Sequence, residues 1–315
     1  MAVNKKVGNL TIFCGGIILA ATLVKGTMHV YTPNSTIVSI DATVEEQDDQ
    51  IISKKFYQLK TKSSLEVVTL QYRTIDENSY NILDTTPNVH TVNFVDCTVK
   101  DLTIIEGDSQ IRNIGFYNCD LEDCVFDALK NIDTLQTLTL YCHLDKSEIE
   151  KIARIDHLKN LEIQVLDDFD YRIFEEISFD SLEKFILLDP SSNEEAIDFS
   201  YLTSLPNVKT FQLSTIRKAK NLDFSRFPNI EELIIPLNSF DDSTFLGKME
   251  NLRSLTLVSV NDTYEERREL INTVINELNK NPHAASISTT IWINGFSYHL
   301  ETVTIKNDKN KIYTI

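Results

Sequence analysis

Val89–Val99 reads VHTVNFVDCTV, with apolar residues at its first, fourth, sixth and eleventh positions and a cysteine at its ninth. Ile111–Leu121, IRNIGFYNCDL, places apolar residues and a cysteine in the same positions. Further copies begin at Leu65, Leu135, Leu158, Leu182, Val208, Ile230 and Leu252, so that successive copies start 22 to 26 residues apart. A fixed period of this length indicates a repeat architecture and decides the fold before any local pattern is considered.

The repeat predicts a stack of parallel strands. Leu255 and Leu257, the fourth and sixth residues of the last copy, alternate with other residues as in a short strand buried on one face. One such strand cannot bury its apolar side chains alone, whereas stacked copies form a continuous core. The ninth position holds Cys97, Cys119 and Asn238, small side chains that suit a turn inside the core, where backbone groups need partners.

This pattern resembles the leucine-rich repeat family over roughly residues 65–260. Val89–Val99, Ile111–Leu121 and Ile230–Phe240 match the consensus of that family position for position. Other copies are looser, because Cys142 stands one position early and the copy at Leu182 runs into Asp189-Pro190. The resemblance implies an α/β solenoid with parallel β-strands on the concave face and short helices or irregular arcs on the convex face. It also implies a non-catalytic, protein-binding function.

We predict four segments: a signal peptide or signal anchor over 1–26, an N-terminal capping region over 27–64, about nine repeats over 65–260, and a C-terminal cap over 261–315. Within the capping region, Ser35–Val44 alternates as a capping strand does. The C-terminal cap is predicted to be a helix plus a β-hairpin that covers the last open strand.

Two signals support the C-terminal cap. Thr263 and Glu266 form a capping-box pattern before an apolar stripe with helical spacing. Ile287–Ile293 and Phe296–Ile305 alternate on either side of Asn294-Gly295, a dipeptide typical of two-residue hairpin turns.

The N-terminal segment Val7–Val24 carries no charge and follows Lys5 and Lys6. Its length lies between that of a long signal-peptide core and that of a short transmembrane helix. Positive charge before such a run directs the rest of the chain outward. We therefore predict export, or membrane anchoring through residues 7–24, and an extracytoplasmic location. The alternative is that the segment is a buried first strand or helix of the solenoid in a cytoplasmic protein.

Composition and motifs argue against catalysis and against a nucleic-acid partner. The chain has 47 acidic and 30 basic residues and a net charge of −17, which opposes binding to a phosphate backbone. This charge keeps an elongated protein soluble or suits a cationic partner. The six histidines lack metal-ligand spacing, and no glycine-rich phosphate loop or Gly-x-Ser-x-Gly elbow occurs. Asp167, Asp168 and Asp170 fit a solvated turn better than a calcium loop. We predict no enzyme activity, cofactor or metal.

Cys97 and Cys119 occupy equivalent positions of neighbouring copies and should lie close together, because stacked strands are roughly 4.8 Å apart. They can form a disulfide in an oxidising compartment, although buried thiols are the more common outcome at such positions. Cys124 and Cys142 show no framework spacing.

The concave face is predicted to consist of the third, fifth and seventh residues of each copy. In the N-terminal half these are mostly uncharged polar residues, among them Asn93 and Thr139, with Tyr117 and Tyr141 in one column. In the C-terminal half, Ile186, Leu188 and Ile234 are apolar and would be exposed unless curvature, a cap or a terminus covers them. We predict that these seven residues contact a partner, because exposed apolar patches mark interfaces and tyrosine is enriched at hot spots.

The sequence therefore predicts a non-catalytic protein-binding module, on the cell surface or secreted. An intracellular adaptor or regulator, such as the substrate-reading part of a ubiquitin ligase, is the main alternative. A self-associating wall or coat component and an enzyme inhibitor are two others.

Overall fold

The structure of the 315-residue chain is a computed structural model. It describes residues 9–14, 17–22, 36–41, 65–77, 88–102, 105, 110–166, 169–191, 195–202, 204–215, 217–221, 224, 227–239, 243–260, 263–294 and 300–305.

One sheet of 12 strands runs from Thr36 to Ile305. Its strands are, in chain order, β1 (Thr36–Asp41), β2 (Leu65–Gln71), β3 (Thr91–Val95), β4 (Asn113–Tyr117), β5 (Thr137–Tyr141), β6 (Asn160–Gln164), β7 (Lys184–Asp189), β8 (Thr210–Thr215), β9 (Glu232–Pro236), β10 (Ser254–Val260), β11 (Ser288–Asn294) and β12 (Leu300–Ile305). Neighbours from β1 to β11 are parallel, and β12 is antiparallel to β11. Each of the nine copies supplies one strand, β2 to β10, so the parallel solenoid that the period predicts is confirmed.

The core lies on one side of this sheet. The fourth and sixth residues of every copy point into it and are at most 1% exposed. The fourth residues are Val68, Val92, Ile114, Leu138, Leu161, Phe185, Phe211, Leu233 and Leu255, and the sixth are Leu70, Phe94, Phe116, Leu140, Ile163, Leu187, Leu213, Ile235 and Leu257. Burying each such side chain contributes about 1.5–3 kcal/mol. The rows therefore supply the stabilisation that a single strand lacks.

Short helices and irregular segments return the chain on the other side of the core, as predicted. The α-helices there are α1 (Asp123–Leu129) and α2 (Lys146–Ala153), and the 3-10 helices are Tyr171–Phe174, Phe199–Tyr201, Leu237–Ser239 and Ser243–Lys248. Two-residue strands form small parallel sheets, one from Thr74–Ile75, Thr98–Val99 and Asp120–Leu121, and one from Ile197–Asp198 and Ala219–Lys220.

In the second and third copies, the ninth residue satisfies backbone groups inside the turn that follows the strand. The thiol of Cys97 donates to the carbonyl of Val95 (3.3 Å), and that of Cys119 donates to the carbonyl of Phe94 in the preceding copy (3.3 Å). The residues just before them, Asp96 and Asn118, adopt positive φ angles of 52° and 54°. These contacts match the prediction that the chain turns sharply here and needs a small polarisable side chain.

A second set of contacts between copies lies just before each strand. The residue just before the first position of a copy donates from its side chain to a backbone carbonyl about one repeat earlier in the chain. These pairs are Thr134 to Ile111 (2.7 Å), Ser181 to Ile155 (3.0 Å), Asn207 to Asp180 (2.7 Å), Asn229 to Pro206 (2.7 Å) and Asn251 to Pro228 (2.8 Å). These hydrogen bonds fix the spacing of the copies at the end where the strands begin, opposite the end where the ninth-position turns lie.

Asp189 explains how the irregular copy at Leu182 keeps its place in the stack. Its buried carboxylate accepts hydrogen bonds from Tyr171 Oη (2.7 Å) and from the Ser191 backbone N–H (2.9 Å), and it pairs with Arg217 (3.0 Å). Burial, together with the Asp189 charge, raises the pKa of Tyr171, so this phenol stays protonated as a donor. Side-chain contacts thus replace the consensus turn.

The C-terminal cap contains the predicted helix, α3 (Tyr264–Leu278), which begins with a capping box formed by Thr263 and Glu266. The 3-10 helix Ala284–Ser286 connects it to β11. The predicted two-residue turn at Asn294-Gly295 is wrong, because β11 runs through Asn294, which pairs with Leu300 of β12. Since β11 also pairs in parallel with β10, the hairpin covers the last repeat strand.

At the N-terminus, Asn9–Cys14 and Ile17–Thr22 are antiparallel strands of a separate two-stranded sheet. Within the described residues, no helix is long and apolar enough to cross a membrane. Strand β1 lies in the predicted capping region and pairs with β2. The signal or anchor function of 1–26 and the segment boundaries stay predictions.

We expect Asn281 to hold the C-terminal cap against the last repeat. Its buried amide donates to the carbonyls of Leu246 and Met249 (both 2.9 Å) and accepts from the His283 N–H (2.8 Å). Asn281→Ala leaves two buried carbonyls without these donors and should lower the free energy of unfolding by about 2–3 kcal/mol in urea denaturation. Asn276→Ala, on the exposed side of α3, is the matched control. Equal stability of the two variants would contradict this function for Asn281.

Candidate functional site

The register of the sheet places the third, fifth and seventh residues of the copies in three columns on the sheet face opposite the core. We call this the concave face. Asn93, Thr139, Ile186 and Ile234 lie in the fifth-residue column. Tyr117, Tyr141 and Leu188 lie in the seventh-residue column. All of the candidate binding residues therefore share one face, which the sequence period alone had indicated.

A second apolar cluster stands on this face, separate from the core. It consists of Tyr141, Ile186 and Leu188, with Tyr117 packed against it. We call these four residues the concave cluster. Tyr117 and Tyr141 stand on the adjacent strands β4 and β5, about 4.8 Å apart, whereas Ile186 and Leu188 stand on β7, with β6 between them and Tyr141. Long side chains bridge this wider gap above β6. The structure thus joins the two tyrosines and two of the three apolar candidates, which are far apart in sequence, into a single group.

The sequence left open whether the apolar candidates are exposed or covered, and two of the three are covered. Ile186 and Leu188 are 3% and 8% exposed, and Tyr141 is 7% exposed, because they lie inside the packed cluster. Ile234, Asn93, Thr139 and Tyr117 are half-buried. The large apolar side chains that are exposed in the described part of the chain are Tyr72 and Leu166, both outside the three columns.

The two tyrosines meet edge to face, with ring centroids 5.0 Å apart and an interplanar angle of 82°. Such a pair contributes about 0.5–1.5 kcal/mol beyond its area burial. Gly115 makes room for this arrangement. A Cβ atom at this position would stand 2.5 Å from Cε2 of Tyr117 and 2.7 Å from Oδ1 of Asn93. The Tyr117 ring therefore lies directly over the backbone of its own strand, beside Asn93.

Glu162 is a charged member of this face that the sequence map left out. It is the fifth residue of the copy at Leu158 and stands between Thr139 and Ile186 in its column. It is 9% exposed, and its Oε1 accepts a short hydrogen bond from the Tyr141 hydroxyl. The period alone places Glu162 in this column, so its position could have been predicted from the sequence. This hydrogen bond fixes the Tyr141 ring, on which Tyr117 rests.

The third-residue column is mostly polar, and several of its side chains hydrogen-bond to one another. Asn113 donates to Thr91 Oγ1 (2.9 Å), and Asn160 donates to Thr137 Oγ1 (3.1 Å), so amides and hydroxyls of adjacent strands pair. Pairing of this kind gives the concave face polar groups in fixed positions beside the apolar cluster.

Of the predicted acidic turn, the structure describes Asp170. The Asp170 carboxylate accepts hydrogen bonds from the guanidinium and from the backbone N–H of Arg172. The hydrogen bond from the guanidinium lowers the pKa of this carboxyl. Asp167 and Asp168, the other members of the predicted acidic turn, lie outside the described residues. Among the residues that the structure does describe, no group of three or more histidine, cysteine or acidic side chains could hold a metal ion.

Comparison with known proteins adds a likeness in solved structures. No family model and no curated protein matches the chain. A TLR13–ssRNA13 complex matches 73% of this chain and 32% of that chain, with a TM-score of 0.45 and 16% identity. An internalin, InlF of Listeria monocytogenes str. 4b F2365, matches 63% of this chain and 76% of that chain, with a TM-score of 0.26 and 12% identity. The chain thus spans about a third of the TLR13 chain.

Tyr141→Phe tests whether the hydroxyl of Tyr141 supports the concave cluster. Removing it takes a donor from the buried Glu162 carboxylate and should lower the free energy of unfolding by about 1.5–3 kcal/mol, measured by urea denaturation. Tyr201→Phe, a half-buried tyrosine in a return segment, is the control and should cost far less. Equal losses in the two variants would show that the hydrogen bond to Glu162 has no special weight.

Proposed function

We propose that this chain, which folds as a leucine-rich-repeat solenoid, is a non-catalytic protein-binding module whose partner contacts the concave face around Tyr117. The concave cluster is the observation that supports this function. The core side of the sheet already supplies the apolar burial that folding requires. The concave cluster, on the opposite face of the sheet, is not needed to stack the copies in the same way. A binding surface on this face would explain why aromatic and aliphatic side chains gather there.

The candidate residues divide into a contact layer and a supporting layer. Asn93, Tyr117, Thr139 and Ile234 are half-buried and offer atoms to a partner. Tyr141, Ile186 and Leu188 are buried and hold Tyr117 in place from below. Interface hot spots favour aromatic side chains that are rigid before binding, since little conformational freedom is then lost. Tyr117, confined by Gly115, Asn93 and Tyr141, has this property.

Charge favours a protein over a nucleic acid as the partner. Among the third, fifth and seventh residues from Val67 to Val258, the only cation is Lys184, whereas Glu162 and Glu232 are acidic. A phosphate-binding surface needs a cluster of lysine and arginine on one face. With a net charge of −17, the chain would repel a polyanion at long range.

The module is proposed to work outside the cytoplasm, secreted or anchored through residues 7–24. Lys5 and Lys6 before the uncharged run Val7–Val24 support this location. Fractionation of cells that express the full-length chain, with N-terminal sequencing of the product, tests it. A cleaved or membrane-bound product is expected. An intact product in the cytoplasm would contradict export and favour the intracellular adaptor instead.

Tyr117→Ala should weaken binding at least tenfold without a large loss of stability. A displayed peptide library is selected on the wild-type chain, and the dissociation constants of the selected peptides are measured for each variant. Loss of one aromatic anchor costs about 1.4 kcal/mol or more, which is a factor of ten. Tyr201→Ala, which removes a tyrosine of similar burial from a return segment, should bind as the wild type does.

Two results would contradict the proposal. One is unchanged peptide binding by a folded Tyr117→Ala variant. The other is saturable binding of single-stranded RNA at physiological salt that Tyr117→Ala abolishes, because the concave face would then recognise a nucleic acid. Tyr141→Ala is unsuitable as a binding probe, since this buried ring supports the fold of the site.

A further inference from the structure

Cys97 and Cys119 stand at equivalent positions of adjacent copies. The register on both sides of them is fixed, because Val95 pairs with Tyr117 before the two cysteines and Thr98 pairs with Asp120 after them. The Asp120 N–H also donates to the Cys97 carbonyl (2.9 Å). Strands in such pairs are about 4.8 Å apart, which lies within the Cα–Cα range of roughly 4.4–6.8 Å that disulfides adopt.

The two thiols also affect each other's ionisation. Both are buried, at 2% and 8% exposure, and both are reduced in the structure. The neighbouring Cys119 thiol lowers the pKa of Cys97, and the neighbouring Cys97 raises the pKa of Cys119; the nearby Arg73 charge also lowers that of Cys97. Of the two thiols, Cys97 therefore ionises more readily and attacks first.

We infer that Cys97 and Cys119 are a disulfide-forming pair that cross-links the second and third repeats when the chain folds in the presence of a small-molecule disulfide. The Cys97 thiolate attacks one sulfur of oxidised glutathione and releases one glutathione thiolate. The Cys119 thiol then loses its proton to solvent, and its thiolate attacks the Cys97 sulfur and releases the second glutathione thiolate. The two cysteines are oxidised by two electrons, and oxidised glutathione is reduced to two thiols.

The cross-link would act on the strands that carry the proposed contact layer. Cys97 follows β3, which contains Asn93, and Cys119 follows β4, which contains Gly115 and Tyr117. Joining them fixes the spacing of these two strands at one end. It also closes a loop in the unfolded chain, which stabilises the folded form. The inference concerns these two repeats alone and does not depend on the identity or existence of a partner.

The other described cysteines are poorly placed to compete. Cys142 is also buried, but Tyr117 pairs with Tyr141, so Cys142 stands level with Asn118 rather than with Cys119. Burial, with a smaller effect of the Glu148 charge, raises the pKa of Cys142 to about 12, which suppresses its thiolate. Cys124 is exposed at the start of α1 and donates to the Lys100 carbonyl (2.7 Å), away from the pair.

The test uses the full-length chain with Cys14→Ser and Cys124→Ser, which removes the apolar N-terminal thiol and the exposed one. The protein is diluted from urea into a buffer with excess oxidised over reduced glutathione, quenched in acid, denatured, alkylated and digested without reduction. Mass spectrometry should find a peptide pair joining Cys97 to Cys119 in most molecules, with Cys142 alkylated. The oxidised form should melt roughly 5 °C higher than the reduced form.

Two single substitutions show which cysteines form the cross-link and cause the melting shift. Cys142→Ser should keep both the cross-link and the melting shift, whereas Cys119→Ser should lose both. Alkylated Cys97 and Cys119 after refolding, glutathione retained on Cys97 without a cross-link, or a Cys119–Cys142 bond would each overturn the inference. Because the peptide map is read on a chain that retains all three buried cysteines, the inference stays testable even if Cys119→Ser fails to fold.

Discussion

The structure depends on in-register parallel pairing between copies. A strand such as β5 has apolar residues on its core side and only five residues in all, so it gains its stability from β4 and β6. Register matters because a slip of one residue would turn every core side chain to the opposite face. The alternation within each copy and the fixed period between copies both select the same register, and every other feature of the molecule follows from it.

Register also explains how the backbone is satisfied where the chain leaves the sheet. The thiols of Cys97 and Cys119 reach carbonyls at one end of the strands, and the side chains of Asn229 and Asn251 reach carbonyls at the other. The thiol of Cys97 also donates to the Leu70 carbonyl (3.5 Å), and the Cys119 thiol and the side chains of Asn229 and Asn251 likewise donate to carbonyls one repeat earlier, so these bonds form only once the copies are stacked. Hydrogen bonds of this kind favour stacking, since a displaced copy would lose all of them together.

The sequence predicted where each residue lies in the fold more successfully than which side chains surround it. The nine strands and the face occupied by Tyr117 and Ile186 could be predicted because they depend only on period and alternation. The burial of Ile186 and the function of Gly115 could not, because each depends on side chains of neighbouring copies. The turn at Asn294-Gly295 failed for a related reason, since pairing with β10 extends β11 through Asn294. Local turn preference yields to tertiary pairing where the two compete.

The most direct test of the stacked register measures distances between equivalent residues. Arg112, Lys209 and Arg253 are exposed second residues of the third, seventh and ninth copies, and Glu66 is that of the first. Spin-labelled amino acids at Arg112 and Lys209, four copies apart, should lie about 19 Å apart, and those at Arg112 and Arg253, six copies apart, about 29 Å apart. Labels at Glu66 and Arg253 should lie about 38 Å apart. The distances between the labels are measured by pulsed electron–electron double resonance. Distances that grow evenly with the number of copies between the labels would support the solenoid. Distances that do not increase with that number would contradict it.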